Sequence, residues 1–269
     1  MIITIANSKG GSGKSTICLN LAIRFALENK DVIIIDTDEQ RSVGKFSDIR
    51  ESNKSNLLKQ IALLKKDPLV NLEKELKLEE LQRKLSNMKA DFTCISKTGD
   101  SIVDAIKKMA SKFQVVIIDT KATINKEQRK SILLSDYLII PTTTSQIDLS
   151  ELLEILNYVE ELKIINEDLK VFIVLNRINP NPFLTNEARE LKQFIEEYRR
   201  EKNMKNYILV DSILHDRIDY KRSIVEGLGV SEMKSKASKE FNDFYMELKN
   251  GIEGVDESIE GEANEIYQY

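Results

Sequence analysis

The 269-residue chain holds one histidine, two cysteines and four prolines, and each scarcity excludes something. A single imidazole, His215, cannot build a His-rich metal site and leaves one candidate base for a Ser-His-Asp triad. The Gly-x-Ser-x-Gly setting of a triad serine is also missing; the nearest approach is the run Gly11-Ser12-Gly13. Cys18 and Cys94 are too few for a disulfide framework or a four-thiolate zinc site. No apolar run approaches the ~18 residues of a membrane span. The opening Met1-Ile2-Ile3-Thr4-Ile5-Ala6 reads as a strand rather than a targeting signal, so a cytoplasmic location is expected. The four prolines and ten glycines punctuate the chain sparsely, and no internal repeat is visible.

What is present is the balance of a soluble globular protein, 41% hydrophobic and 31% charged. The net charge of −4 argues at face value against a strongly basic nucleic-acid binder. Its distribution reverses that inference. Gly251–Tyr269 carries six acidic residues and no basic ones, without helical period, and is expected to be a disordered acidic tail. The rest of the chain is slightly basic.

Short apolar runs alternate with helix-length amphipathic stretches. Strands are expected at Ile2–Ala6, Val32–Asp36, Phe92–Ile95, Val115–Asp119, Tyr137–Pro141, Val171–Asn176 and Tyr207–Val210. Helices are expected at Lys14–Glu28, Ser101–Ser111, Leu149–Ile165, Glu187–Lys202 and Lys234–Lys249. Strands that are apolar on consecutive residues are buried on both faces, as in parallel sheets. The fold class is therefore α/β: a doubly wound, mostly parallel sheet with helices on both faces. Residues 1–250 read as one domain with a helical insertion at 54–90. That insertion has nine basic residues against five acidic, and its leucine spacing suggests two helices divided at Pro68. It either packs on the sheet and solvates its outer face, or presents a surface to a partner or DNA.

The strongest feature follows the first strand directly: Ser8-Lys9-Gly10-Gly11-Ser12-Gly13-Lys14-Ser15-Thr16. Strand, glycine loop and helix, in that order, form a phosphate-binding loop. Glycines let backbone N–H groups turn inward around phosphates, and the helix N-terminus adds positive potential. Lys14 would reach the β- and γ-phosphates of ATP, and the Ser15 hydroxyl would ligate Mg²⁺. Lys9 is an extra cation, able to support the site's own phosphates or to reach those of a second subunit. With that lysine, the loop resembles the deviant Walker A family of P-loop ATPases. The resemblance implies that Lys9 contacts nucleotide across a sandwich dimer.

Two carboxylate motifs join the loop. Val32–Asp36 runs into Thr37-Asp38-Glu39-Gln40, and Val115–Asp119 reads as a Walker B strand. Both place acids at strand C-terminal ends, where open α/β sheets bind ligands. Asp119 is assigned to the Mg²⁺ shell through a water. Asp38 is assigned to the metal's surroundings and to positioning the attacking water.

Asp36-Thr37-Asp38-Glu39-Gln40-Arg41-Ser42 resembles the Asp-x-Asp-Pro-Gln-x-Ser stretch of ParA-type partition ATPases. The likeness continues through Ser135–Pro141, with Ser145 and Asp148. It then takes in Val174-Leu175-Asn176-Arg177, the segment that contacts adenine in that family, and Arg217–Gly227. It implies an ATP-switched DNA segregation protein that forms a homodimer on Mg-ATP, binds DNA non-specifically and is reset by a ParB-like or centromere-binding adaptor. Arg217, Lys221 and Arg222 fall in the region that would track DNA phosphates, and ATP-bound protein would associate with the nucleoid. With the loop opening at residue 9, the resemblance is to the small plasmid-type form without an N-terminal helix-turn-helix. Three positions depart from the family pattern. Glu39 stands at a proline position and Lys121 at one usually proline or glycine, where a cation near the γ-phosphate could tighten binding or perturb hydrolysis. Thr144 replaces a common proline.

Other readings fit less well. A MinD-like membrane-cycling ATPase would end in a basic amphipathic helix, whereas this chain ends acidic, so no membrane partner is expected. A P-loop tyrosine kinase would use Tyr267 and Tyr269, but Lys9 and Gln40 match partition ATPases better. An iron–sulfur relative lacks its cysteines. A cargo-positioning ATPase differs from a partition ATPase only in its cargo. His215 is expected in a loop near the nucleotide end of the sheet.

Overall fold

The computed structural model describes residues 1–67, 71–99, 101–181 and 185–254. Elements run in the order β1 (Ile2–Ile5), α1 (Lys14–Leu27), β2 (Val32–Asp36), α2 (Ser42–Lys66), α3 (Leu72–Asn87), β3 (Thr93–Ser96), α4 (Ile102–Ala110), β4 (Val115–Asp119) and α5 (Lys126–Leu133). There follow β5 (Tyr137–Thr142), α6 (Gln146–Lys163), β6 (Lys170–Ile178), α7 (Thr185–Glu201), β7 (Tyr207–Leu209), β8 (Leu214–His215), α8 (Ile218–Glu226) and α9 (Lys236–Glu253). Every described strand pair is parallel, in the order β3-β2-β4-β1-β5-β6-β7, with β8 added on β6.

Alternation along the strands sends side chains to two layers of helices. Ile3, Ile5, Ile34, Ile117, Ile139 and Val174 pack with α1 and α9. On the other face Ile33, Ile35, Val116 and Ile118 meet α4, while Leu138, Ile140 and Ile173 meet α6 and α7. Both faces of β2 and β4 are buried, as continuous apolar runs dictate. This is the doubly wound sheet the alternation implies.

The basic stretch does not lie on the sheet as an insertion of its own. Its first helix is the distal part of α2, which starts at Ser42, packs on α1 and β3, and continues outward as a single rod to Lys66. Its second helix, α3, packs against α2 rather than the sheet, and Ile61 of α2 and Leu81 of α3 are buried. Pro68 lies outside the described residues. So does the expected acidic tail from residue 255 onward, including both terminal tyrosines. α9 itself extends to Glu253, and its Gly251 packs where a Cβ would stand 2.6 Å from the Phe172 ring. Helices α5 and α8 and strand β8 complete the fold without a counterpart in the sequence pattern. Among the described residues, no helix is long and apolar enough to cross a membrane.

Candidate functional site

Strands β1, β2 and β4 end side by side: Ile5 and Asp36 both stand in register with Asp119. The loop after β1 therefore opens beside the Asp119 carboxylate, with Asp36 one strand further along the sheet. Gly13, just before α1, has φ +90°, and a Cβ there would sit 2.2 Å from Asn176 Nδ2. Backbone conformation and close approach both demand glycine at that point. The Asn176 amide donates to the Ser12 carbonyl at 2.7 Å, and Arg177 Nη1 donates to the Gly11 carbonyl. Arg177 can do so because its own backbone is left-handed, φ +57°, at a bulge where β6 pairs with β8. A bulge re-aims side chains, and this one points two consecutive residues of β6 at the phosphate loop.

Lys14 is buried and donates to the Lys9 carbonyl at 2.9 Å. Burial lowers its pKa, while Asp119, Asp38 and Glu151 act to keep it charged. Asp36 is a residue the sequence reading left without a role. Its carboxylate accepts the Asp38 N–H at 3.0 Å and the Gly44 N–H at 3.3 Å, so it caps α2 and anchors the loop that carries Asp38. Burial raises its pKa against the pull of those backbone donors. The Asp38 carboxylate in turn accepts the Gln40 N–H at 2.9 Å.

Asp119 is fully buried, and neither carboxylate oxygen has a protein hydrogen-bond partner in good geometry. Burial pushes it up to about 7, opposed by the Ser15 hydroxyl and the Lys14 ammonium and reinforced by Asp36 and Asp38. The Ser12 hydroxyl is likewise buried and unpartnered. Such orphaned oxygens fit a site completed by a hydrated cation and its anion. Among the described residues no cluster of three or more His, Cys, Asp or Glu makes a protein-only metal cage. Mg²⁺ takes one or two carboxylates and otherwise phosphates and water, and the orphaned Asp119 carboxylate with the Ser15 hydroxyl beside it fits that donor set.

A carboxyl raised in the folded state holds a proton that the unfolded chain has released. Between about pH 4 and pH 7 the nucleotide-free protein should therefore lose stability as pH rises. Asp119→Asn is expected to flatten that slope and raise the urea midpoint at pH 8. An unchanged slope would mean that the carboxyl is ionised throughout.

A cavity of about 510 Å³ spans the loop. Gly10, Gly11, Gly13, Lys14, Ser15, Thr16, Asp38, Asn176 and Arg177 line it, which brings most of the expected nucleotide residues together. His215, Arg217 and Lys221 line it too. His215 is in β8 rather than a loop, and its Nδ1 lies 2.9 Å from Glu240. The Arg217 guanidinium is bound by the same carboxylate. Lys221 and Arg222 are exposed on α8, and Arg222 does not line the cavity. Lys9 is half-buried outside the cavity lining, its N–H bonded to Asn7 Oδ1.

Parallel sheet, glycine loop and strand-end carboxylates define a P-loop NTPase. A family model described as an AAA domain, AAA_31, matches residues 1–171, and the chain belongs to that family as a ParA-type ATPase. A ParA family protein of Mycoplasma genitalium is 24% identical over 267 residues, covering 94% of this chain and 97% of its relative. The maintenance of carboxysome distribution protein A of Synechococcus elongatus is 29% identical over 168 residues, covering 60% and 66%. A candidate plasmid partition protein from Borrelia burgdorferi, solved bound to AMPPNP, superposes with a TM-score of 0.60 at 21% identity, covering 93% and 98%.

Proposed function

We propose that this chain is an ATP-switched partition ATPase: Mg-ATP closes two copies face to face, the dimer holds DNA without sequence preference, and adaptor-stimulated hydrolysis releases it. Residues 1–250 act as the ATPase unit. The observation that carries the reading is the buried, unpartnered Asp119 carboxylate, which acts on Lys14 and Ser15, two residues that with Asp38 line one glycine-rich cavity. Gly10, Gly11, Ser12, Gly13, Lys14, Ser15 and Thr16 would hold the phosphates, with Asn176 and Arg177 towards the base. Ser15, Asp119 and Asp38 would surround the metal, whose charge offsets that of the phosphates. Lys9, outside the cavity lining, would serve the second subunit's nucleotide. Asp38 would orient the attacking water.

Partition is supported by the likeness to relatives named for chromosome partitioning and plasmid partition. The relative named for carboxysome distribution supports a second reading, in which the same switch positions a different cargo. For DNA, Lys221 and Arg222 are the exposed cations, while Arg217 is held by Glu240 and would act by placing α8. ATP-bound protein would then gather on the nucleoid.

Removing the water-orienting carboxylate should leave nucleotide binding intact while stopping turnover. Asp38→Ala is expected to accumulate as an ATP-bound dimer in light scattering. A monomer carrying ATP would reassign Asp38.

A further inference from the structure

Two loops meet above the strand ends of β2 and β4, and successive contacts stitch them together. Thr37 donates to the Asp119 carbonyl twice, from its N–H at 3.0 Å and its hydroxyl at 2.9 Å. Two residues further along each loop, Lys121 Nζ meets Glu39 Oε1 at 3.4 Å. Asp38 lies between these two cross-loop contacts. The Lys121 side is a fixed post: the Thr120 hydroxyl donates to the Ile5 carbonyl at 2.8 Å, and the Thr123 N–H closes a tight turn on the Lys121 carbonyl. The Glu39 side is the yielding one, since Glu39 is 74% exposed in its side chain and Lys121 39%.

We infer that Glu39 and Lys121 form a reversible latch that positions Asp38 for hydrolysis by holding its loop against the loop of Asp119. The inference rests on the ATPase reading of the site and adds the control of its turnover. These are also two of the positions where the sequence departs from the partition-ATPase pattern, and the fold places them against each other. A proline restrains a loop through its own ring. An ion pair across two loops restrains it through charge, and can be opened. Lys121 is thereby engaged by a carboxylate rather than standing as a free cation beside the phosphates. Both residues are positioning residues, because neither lines the cavity. Exposed ion pairs are weak and screened by salt, so the latch tunes turnover rather than enabling it.

The test compares full-length wild type, Glu39→Ala, Lys121→Ala and the double charge exchange Glu39→Lys with Lys121→Glu. ATP turnover is measured at about 50 mM and about 300 mM salt, with affinity for a fluorescent ATP analogue measured in parallel. Each single variant is expected to lower kcat about two- to fivefold at low salt with unchanged analogue affinity. The charge exchange should recover at least half of the loss. Wild-type kcat should fall with salt towards that of the single variants, which should respond less. Turnover that requires Lys14 but ignores both single substitutions would overturn the latch alone, as would a charge exchange no better than either single variant. Turnover that survives Lys14→Ala would overturn the ATPase reading, and the latch with it.

Discussion

Lys14→Ala is expected to lower ATP turnover by about 10²–10³-fold, the usual loss on removing a preorganised group that stabilises transition-state charge. The side chain is buried, sits at the first position of α1, and projects into a cavity where its nearest charged neighbours are Asp119 and Asp38. No other cation is so placed, among the described residues, within the loop's own cavity: Arg177 is bonded to the Gly11 carbonyl, Arg217 is held by Glu240, and Lys221 approaches from α8. The same variant should fail to bind the fluorescent ATP analogue while unfolding at a urea midpoint close to wild type. The second result matters, because it separates loss of a ligand contact from loss of the fold. Turnover within a few-fold of wild type would remove Lys14 from the chemistry.

The largest expected effect on stability lies away from the loop, at Arg50. Its guanidinium bonds both oxygens of Glu232 at 2.7 Å and the carbonyls of Gly227 and Ala90 at 2.7 and 2.8 Å. Glu232 also accepts from the Gly229 and Ala90 N–H groups. The two side chains are 6% and 1% exposed, so this pair is shielded from water and salt. It ties α2 to the α8–α9 connection and to the chain entering β3. Arg50→Ala would strand the Glu232 charge in the interior and is expected to cost about 3–5 kcal/mol in urea unfolding, with unchanged m. Lys77→Ala, which breaks an exposed pair with Glu80 on α3, should leave the midpoint unmoved. Equal effects from the two substitutions would contradict the clamp.

Much of this architecture can be read along the chain because it is written in neighbouring residues. Ile2–Ile5, Val32–Asp36 and Val115–Asp119 announce buried parallel strands by consecutive apolar side chains, and the glycine loop announces itself by context. What escaped depends on residues far apart. Glu232 stands 182 positions from Arg50, and Lys121 meets Glu39 only because β2 and β4 are adjacent. Arg217 looks like a free cation in the sequence, whereas its partner Glu240 comes from α9. Short elements were also hidden: α5 is eight residues of mostly polar character, and β8 is two residues defined by a bulge at Arg177. Asp36 had a visible signal, its place at the end of an apolar strand, but its role as anchor of the Asp38 loop needs the N-terminus of α2 beside it.

The measurement closest to the central claim is retention of non-specific duplex DNA by the full chain with ATP and Mg²⁺, with ADP, and without nucleotide, each at low and high salt. Retention should appear with ATP alone, fall steeply as salt rises because phosphate contacts release counterions, and vanish in Lys14→Ala. Retention that is the same in all three nucleotide states and survives Lys14→Ala would contradict an ATP-switched partition protein.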